Sequence, residues 1–266
     1  MNEAGRLTGQ SYWEDKLESA VEEPPEFPFF GMIARHLPPG DGRSLLEVGC
    51  APGRSLAQFS AELGYEAFGV DFAGDPVEIE SYLRRHGANL GAVERADFLT
   101  WAPARRYDVV TSFGFIEHFA EPASILDRHF DLVEPGGVVV IGVPNFRLGQ
   151  HALHWLFDRE NLRRHQLSCM RRSFFEAACV RHDARLSFLG YCGGHYDFWR
   201  LRPRSVRLGV EAYEPEGAPV AGERCPPRYQ GHRRRRRRIR QRGLLAIPLG
   251  DLRLRVSARA VSRNVP

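Results

Sequence analysis

The sequence predicts an α/β protein: a doubly wound, mainly parallel sheet with helices on both faces, preceded by an N-terminal helical cover. Three observations carry this prediction. From Arg43 onward, short apolar runs alternate with amphipathic stretches of helical length, the pattern of parallel strands joined by crossover helices. The runs are nearly continuous in apolar residues, as strands covered on both faces are. A glycine-bearing turn, Gly49-Cys50-Ala51-Pro52-Gly53, joins the first run to the helix after it. In such sheets ligands sit outside the carboxyl ends of the strands, near the point where strand order reverses.

Each element has its own warrant. In the cover, residues 1–43, Trp13, Leu17 and Val21 fall on one helical face. Pro24, Pro25 and Pro28 interrupt that face, PFFGMIARHL resumes a short helix, and Pro38–Gly42 is a turn-rich stop. Ser44–Val48 (SLLEV) is the first strand. The helix Ser55–Leu63 follows, with Leu56, Phe59 and Leu63 inward and Gly64 able to close it. EAFGV ends at Asp71 as the second strand, and PVEIESYLRRHG is a helix with proline in its first turn. AVERADFL is a weaker third strand and YDVVTSF a fourth. PASILDRHFDLV is a helix with Ile125, Leu126 and Phe130 inward; Pro135-Gly136-Gly137 then leads into VVVIGV, which ends at Pro144-Asn145. SFFEAACVR reads as a helix and ARLSFLGY as a sixth strand. The expected division is 1–43 as cover and 44–199 as the main domain, with an insertion at about 146–170. Residues 200–266 form an arginine-rich tail, disordered or non-native.

Composition narrows the class. The chain has 266 residues, 43% hydrophobic and 26% charged, the balance of a globular protein with a core large enough to need no staples. Five cysteines without a CxxC pair argue against a disulfide framework and a structural zinc knuckle. The N-terminus lacks a signal-peptide pattern, and no apolar run approaches the roughly 18 residues of a membrane span. The expectation is a reduced, cytoplasmic protein with no membrane partner. The net charge of +4 hides an asymmetry. Residues 200–266 carry 18 arginines against five acids, which leaves the rest of the chain at −9. Lys16 is the only lysine, so a single arginine has little diagnostic weight.

The chemistry concentrates after the strands. Gly49 lets the backbone approach a bulky ligand without a Cβ in the way, and the helix after Gly53 offers free N–H groups to a negative moiety. Alone, this turn is equally well explained by tight packing. Asp71, at the end of the next strand, is positioned to accept from both hydroxyls of a ribose; the helix near Pro76 starts too far on for Asp71 to cap it directly. Asp97-Phe98 offers a carboxylate for an exocyclic amine and a ring to stack. Glu47, Asp71 and Asp97 thus occupy three successive strand-end positions, which sheet packing does not explain.

LLEVGCAPG, GVD, ADF, YDVVTSFGFIEHF and LVEPGGVVVIGVPN, in this order over residues 44–145, resemble the motif series of S-adenosylmethionine-dependent methyltransferases with a Rossmann-like sheet. The resemblance implies that Glu47, Gly49, Cys50, Ala51 and Gly53 surround the methionine part of S-adenosylmethionine. It further implies that Asp71 holds the ribose with Phe72 beside the adenine, that Asp97 and Phe98 recognise the adenine edge and face, and that Ser112 and Phe113 lie beneath the sulfonium. Ala51 departs from the glycine of many members, which is tolerable at negative φ; Pro52 suits a first helical turn. A nicotinamide dehydrogenase is disfavoured, because Gly49 and Gly53 are four apart and Arg54 falls where the third glycine belongs.

The resemblance implies methyl transfer to a small-molecule acceptor, as O-methylation of a glycan precursor or natural product. For a hydroxyl acceptor His118 is the best-placed candidate catalytic base, although a local role in holding the loop after the fourth strand is favoured. Phe113-Gly114-Phe115 supplies no carboxylate cluster, so no metal is expected. The insertion would build the acceptor pocket; His151 and His154, three apart within it, read as two surface histidines rather than ligands. Six consecutive arginines, Arg233–Arg238, open the alternative of an RNA or DNA methyltransferase gripping phosphates. Aromatic residues near the run are nearly confined to Tyr229, and the tail's composition also matches a frameshift in GC-rich coding DNA, so a nucleic-acid partner is the less favoured reading. The alternation of Leu252, Leu254, Val256, Ala258 and Ala260 offers a late strand. A non-catalytic cofactor-binding module is the third alternative.

Overall fold

A computed structural model describes residues 5–18, 26–147, 149–190 and 242–249. The cover contributes α1 (Gln10–Glu18) and α2 (Phe30–Ala34). There follow β1 (Ser44–Val48), α3 (Arg54–Leu63), β2 (Glu66–Asp71), α4 (Pro76–Arg85), β3 (Asn89–Arg95) and β4 (Tyr107–Phe113). After a short 3-10 helix at Ile116–His118 come α5 (Pro122–Leu132), β5 (Val133–Pro144), α6 (Gly149–Phe157), α7 (Arg159–Arg163), α8 (Arg172–Arg181), β6 (Ala184–Leu189) and β7 (Arg242–Leu249).

The seven strands form one sheet in the order β3-β2-β1-β4-β5-β7-β6, and every pairing is parallel. Strand order reverses between β1 and β4. Consecutive strand residues serve opposite faces, as the pleat requires. Leu45, Val109 and Val140 enter a core with Ile33 of α2, Leu56 and Phe59 of α3, and Ile79 and Leu83 of α4. Leu46, Val110, Val139 and Ile141 enter the opposite core with Leu126 and Phe130 of α5 and Phe175 and Ala178 of α8. The central strands are apolar on both sides because both sides are covered.

Local differences from the sequence reading have physical causes. Val21 lies outside the described residues. Helix α3 starts at Arg54 behind Gly53, whose φ of 106° is left-handed, so Pro52 precedes the helix rather than occupying its first turn. Asp75 caps α4 by accepting the Val77 N–H at 2.9 Å. Strand β5 begins at Val133, ahead of the predicted turn, and absorbs Pro135-Gly136-Gly137 as an irregularity in its pairing with β4. Gly136 takes a φ of 86°, and a Cβ on Gly137 would meet the Asp108 carbonyl oxygen at 2.5 Å. Residues 242–249, which the sequence alone places in the arginine-rich tail, pair with both β5 and β6. The late strand expected at Leu252–Ala260 and the run Arg233–Arg238 lie outside the described residues. Among the described residues no helix is long and apolar enough to cross a membrane.

Candidate functional site

The turn after β1 is built by left-handed glycines. Gly49 has a φ of 73°, its N–H donates to the Val70 carbonyl at 2.8 Å, and a Cβ there would lie 2.8 Å from Phe115 Cδ2. Gly53 opens α3 with no side-chain cap. Asp183 is the one non-glycine residue at positive φ among those described, so Ala51 carries its methyl without left-handed strain. Cys50 turns its thiol into the sheet core: it is buried, and a Cβ on Gly69 would meet its Sγ at 2.6 Å.

The acid beneath this turn is Glu47. It accepts the Ser55 hydroxyl and the Leu56 N–H, while its Oε2 is buried with no hydrogen-bond partner. Burial raises its pKa to about 8, with a smaller push from Asp71. Asp71, the last residue of β2, braces two loops. Its Oδ2 accepts from the Ala51 N–H at 3.0 Å, and its Oδ1 from the Ala73 and Gly74 N–H groups at 2.9 and 2.8 Å. Sequence reasoning assigned Asp71 to a ligand; the structure makes it the clasp of the glycine turn.

Past β3, Asp97 accepts the Leu99 N–H at 2.8 Å and is ion-paired with Arg6. The Arg6 guanidinium lies 4.5 Å from the centre of the Phe72 ring and 5.6 Å from that of Phe119. Backbone bonds from Leu7 N–H to the His118 carbonyl and from Ala120 N–H to the Gly5 carbonyl pin this N-terminal strap. Arg6 therefore occupies two of the groups, Asp97 and Phe72, that the sequence resemblance assigns to an adenine. The Phe98 ring is not at this crevice surface; it is buried against Phe115 and His129. At the end of β4, the Ser112 hydroxyl is buried without a partner, and the Phe113 ring packs on Phe27 and Phe59.

Beyond β4 lies a polar cluster. His118 is buried; its Nδ1 lies 2.9 Å from the Arg164 carbonyl, which fixes Nδ1 as the protonated nitrogen and leaves Nε2 a lone pair. Its ring meets Trp13 of α1 edge-on at 4.8 Å and His165 at 4.5 Å. Burial lowers the His118 pKa to about 3 and that of His165 to about 4. Glu117 is buried with Oε2 unpartnered, and burial raises its pKa to about 8. In the insertion, His151 is exposed, but His154 is not the surface histidine the sequence reading expected. It is 2% exposed, because its ring packs on Phe146 at 4.5 Å.

The fold thus gathers Glu47, Gly49, Ala51, Gly53, Asp71, Phe72, Asp97, Ser112 and Phe113 at the carboxyl ends of four neighbouring strands. It gives the Cys50 and Phe98 side chains to the core. Sequence reasoning missed Arg6 and the meeting of Glu117, His118 and His165. Arg6 pairs across 91 positions, and no local pattern marks it.

A family model described as a methyltransferase domain matches residues 21–185. The chain is 32% identical over 105 residues to the ubiquinone biosynthesis O-methyltransferase of Serratia proteamaculans, covering 39% of this chain and 43% of that protein. It is 30% identical over 134 residues to the trans-aconitate 2-methyltransferase of Methylobacterium radiotolerans, covering 50% of each. The chain spans about half the length, or less, of these curated relatives. Among solved structures, phosphoethanolamine N-methyltransferase 2 of Haemonchus contortus with S-adenosyl-L-methionine is 20% identical at a TM-score of 0.48, covering 66% of this chain and 41% of that one. A methyltransferase of Thiobacillus denitrificans with S-adenosyl-L-homocysteine is 17% identical at 0.41, covering 50% and 55%.

Proposed function

The chain belongs to the S-adenosylmethionine-dependent methyltransferases with a Rossmann-like sheet, and from that premise we propose that it transfers a methyl group from S-adenosylmethionine to an oxygen atom of a small-molecule acceptor, a glycan precursor or natural product. The observation that supports this most is the row of acids Glu47, Asp71 and Asp97 at the carboxyl ends of β1, β2 and β3, neighbours in the sheet, around a turn with two left-handed glycines. The names of the O-methyltransferase relatives support oxygen as the acceptor atom.

The cofactor supplies an electrophilic methyl on a sulfonium and leaves as a neutral thioether. What remains for the chain is binding and orientation. Glu47 fits the cationic end of the methionine part: its Oε2 is buried and unpartnered, and an arriving ammonium offsets the desolvation that now keeps the carboxyl protonated. Asp71 spends three acceptor sites on backbone N–H groups and keeps one for a ribose hydroxyl. Asp97 accepts from the adenine amine once Arg6 withdraws. Ser112 and Phe113 are assigned to the floor at the end of β4, and the insertion that carries α6 and α7 is assigned to the acceptor. His118 holds the loop after β4 to the insertion through its bond to Arg164; with a pKa near 3 it is a weak base for a hydroxyl proton.

Calorimetric titration of S-adenosylmethionine and S-adenosylhomocysteine into the wild type and Asp71→Ala tests the cofactor assignment. Loss of a charge-assisted contact costs on the order of 1.5–3 kcal/mol, roughly ten- to hundredfold in affinity. A folded wild type that binds neither compound overturns the reading. Labelled methyl transfer in cell extract then identifies the acceptor: label in the small-molecule fraction is expected, and label in nucleic acid refutes the acceptor class.

A further inference from the structure

We propose that Glu117, His118 and His165 form a binding site for a divalent first-row transition cation. One ligand atom from each lies within 4.8 Å of the others, close enough to converge on an ion with small side-chain adjustments. The sequence reading expected no metal because Phe113-Gly114-Phe115 carries no carboxylate. The donors come instead from the 3-10 helix one step further on and from the residue after Arg164, in a separate stretch of chain.

The orientation of the donors is what distinguishes this cluster from three polar side chains that happen to meet. His118 Nδ1 lies 2.9 Å from the Arg164 carbonyl, and His165 Nδ1 lies 2.6 Å from the Asn161 carbonyl. Each bond takes the Nδ1 proton and leaves the lone pair on Nε2, and a backbone carbonyl on the far nitrogen is the usual outer partner of a metal-bound histidine. Glu117 contributes the third donor. Its Oε1 is 3.8 Å from His118 Nε2, and its Oε2 is buried with no hydrogen-bond partner. A carboxylate oxygen left unpaired in the interior is costly, and a cation between the two imidazoles removes that cost.

The donor chemistry sets the class of ion. Two imidazoles and one carboxylate suit zinc, iron, cobalt or nickel, whereas calcium and magnesium prefer all-oxygen shells. Three protein ligands leave at least a fourth position, for water or an oxygen of a bound molecule. Lys16 of α1 and Arg164 act against the site, since their positive charge reaches both imidazoles, and Lys16 also reaches Glu117. A lysine serving as the cluster's own cation is the rival explanation, and it predicts no metal uptake.

The site stands apart from the methyl-transfer reading, because its test needs neither cofactor nor acceptor. The 266-residue chain, free of tags, is stripped with chelator, dialysed and titrated with zinc and, separately, with cobalt. Metal content by mass spectrometry and the visible spectrum of bound cobalt are the readouts. About one ion per chain is expected, with a cobalt spectrum of nitrogen and oxygen ligands. His165→Ala, which removes a half-buried side chain and leaves the strands untouched, should weaken binding by at least about tenfold. His151→Ala, in the exposed neighbour, should leave it unchanged. A folded wild type that takes up no ion overturns the site, as does uptake that survives His165→Ala.

Discussion

Arg6 bears on the cofactor through the two groups it holds. Its guanidinium is paired with Asp97 and stacked on Phe72, so an adenine that uses the same carboxylate and ring must displace it. Arg6→Ala should therefore bind S-adenosylmethionine a few-fold more tightly, by about the 1 kcal/mol that such a partly buried pair contributes. Calorimetry reads this directly, and weaker binding would mean that Arg6 joins the cofactor instead of yielding to it. The same residue marks a limit of sequence reading. Glu47, Asp71 and Asp97 were legible because a strand end is a local pattern that repeats. Arg6 and His165 were not, because each acquires its role from a partner far away in the chain. Cys50 and Phe98 show a different limit, since a motif fixes where the backbone lies but not which way a side chain turns.

Helix α3 shows how an element depends on the site beneath it. Gly53 supplies the left-handed entry but no side-chain cap, and the first turn's donors must be satisfied from elsewhere. Glu47 does this from β1, through the Ser55 hydroxyl and the Leu56 N–H. Ser55→Ala should lower stability by about 1 kcal/mol and push the Glu47 carboxyl further toward its protonated form. A denaturant melt measures the first effect, and a cofactor affinity reduced more at pH 6 than at pH 8 reports the second. Elements of this kind were the most legible part of the sequence. Both β1 and β4 are apolar runs bounded by turn residues, and the structure begins and ends them at the residues the sequence indicates. Strand β7 was not legible. RGLLAIPL follows a run of arginines and contains Pro248, which argues against an interior strand, and the clearer alternation downstream drew the prediction away from it.

Across the whole molecule, buried titratable groups shape stability against pH. Burial holds Glu47 and Glu117 at about 8 against an ordinary 4.5. It also holds His118 at about 3, and His129 and His165 at about 4, against 6.5. Burial lowers the His154 pKa as well, so below pH 6.5 the unfolded chain gains protons on four imidazoles that the folded chain resists, and their contribution to stability rises with pH up to that point. Between pH 4.5 and 8 the folded chain keeps two carboxyl protons that the unfolded chain has released, so their contribution falls. Only the second effect operates above 6.5. The melting temperature of the metal-free protein should therefore peak near pH 6.5 and decline toward 8, and Glu117→Gln should flatten the decline. Thermal melts in chelator across this range provide the check, and a melting temperature that climbs from 6.5 to 8 would contradict the assignment.

The position of β7 also sets a sequence of events. It is the last of the seven strands along the chain, yet it lies between β5 and β6. A ribosome delivers β6 while the slot beside β5 is still empty, and Val138–Val143 stay unpaired on that edge until residues 242–249 emerge. An open apolar edge is where other chains add, and partly made chains are most exposed to such encounters. Translation and topology disagree at this one place, so the sheet closes late in synthesis, and a chaperone bound to the nascent protein would find its foothold along β5.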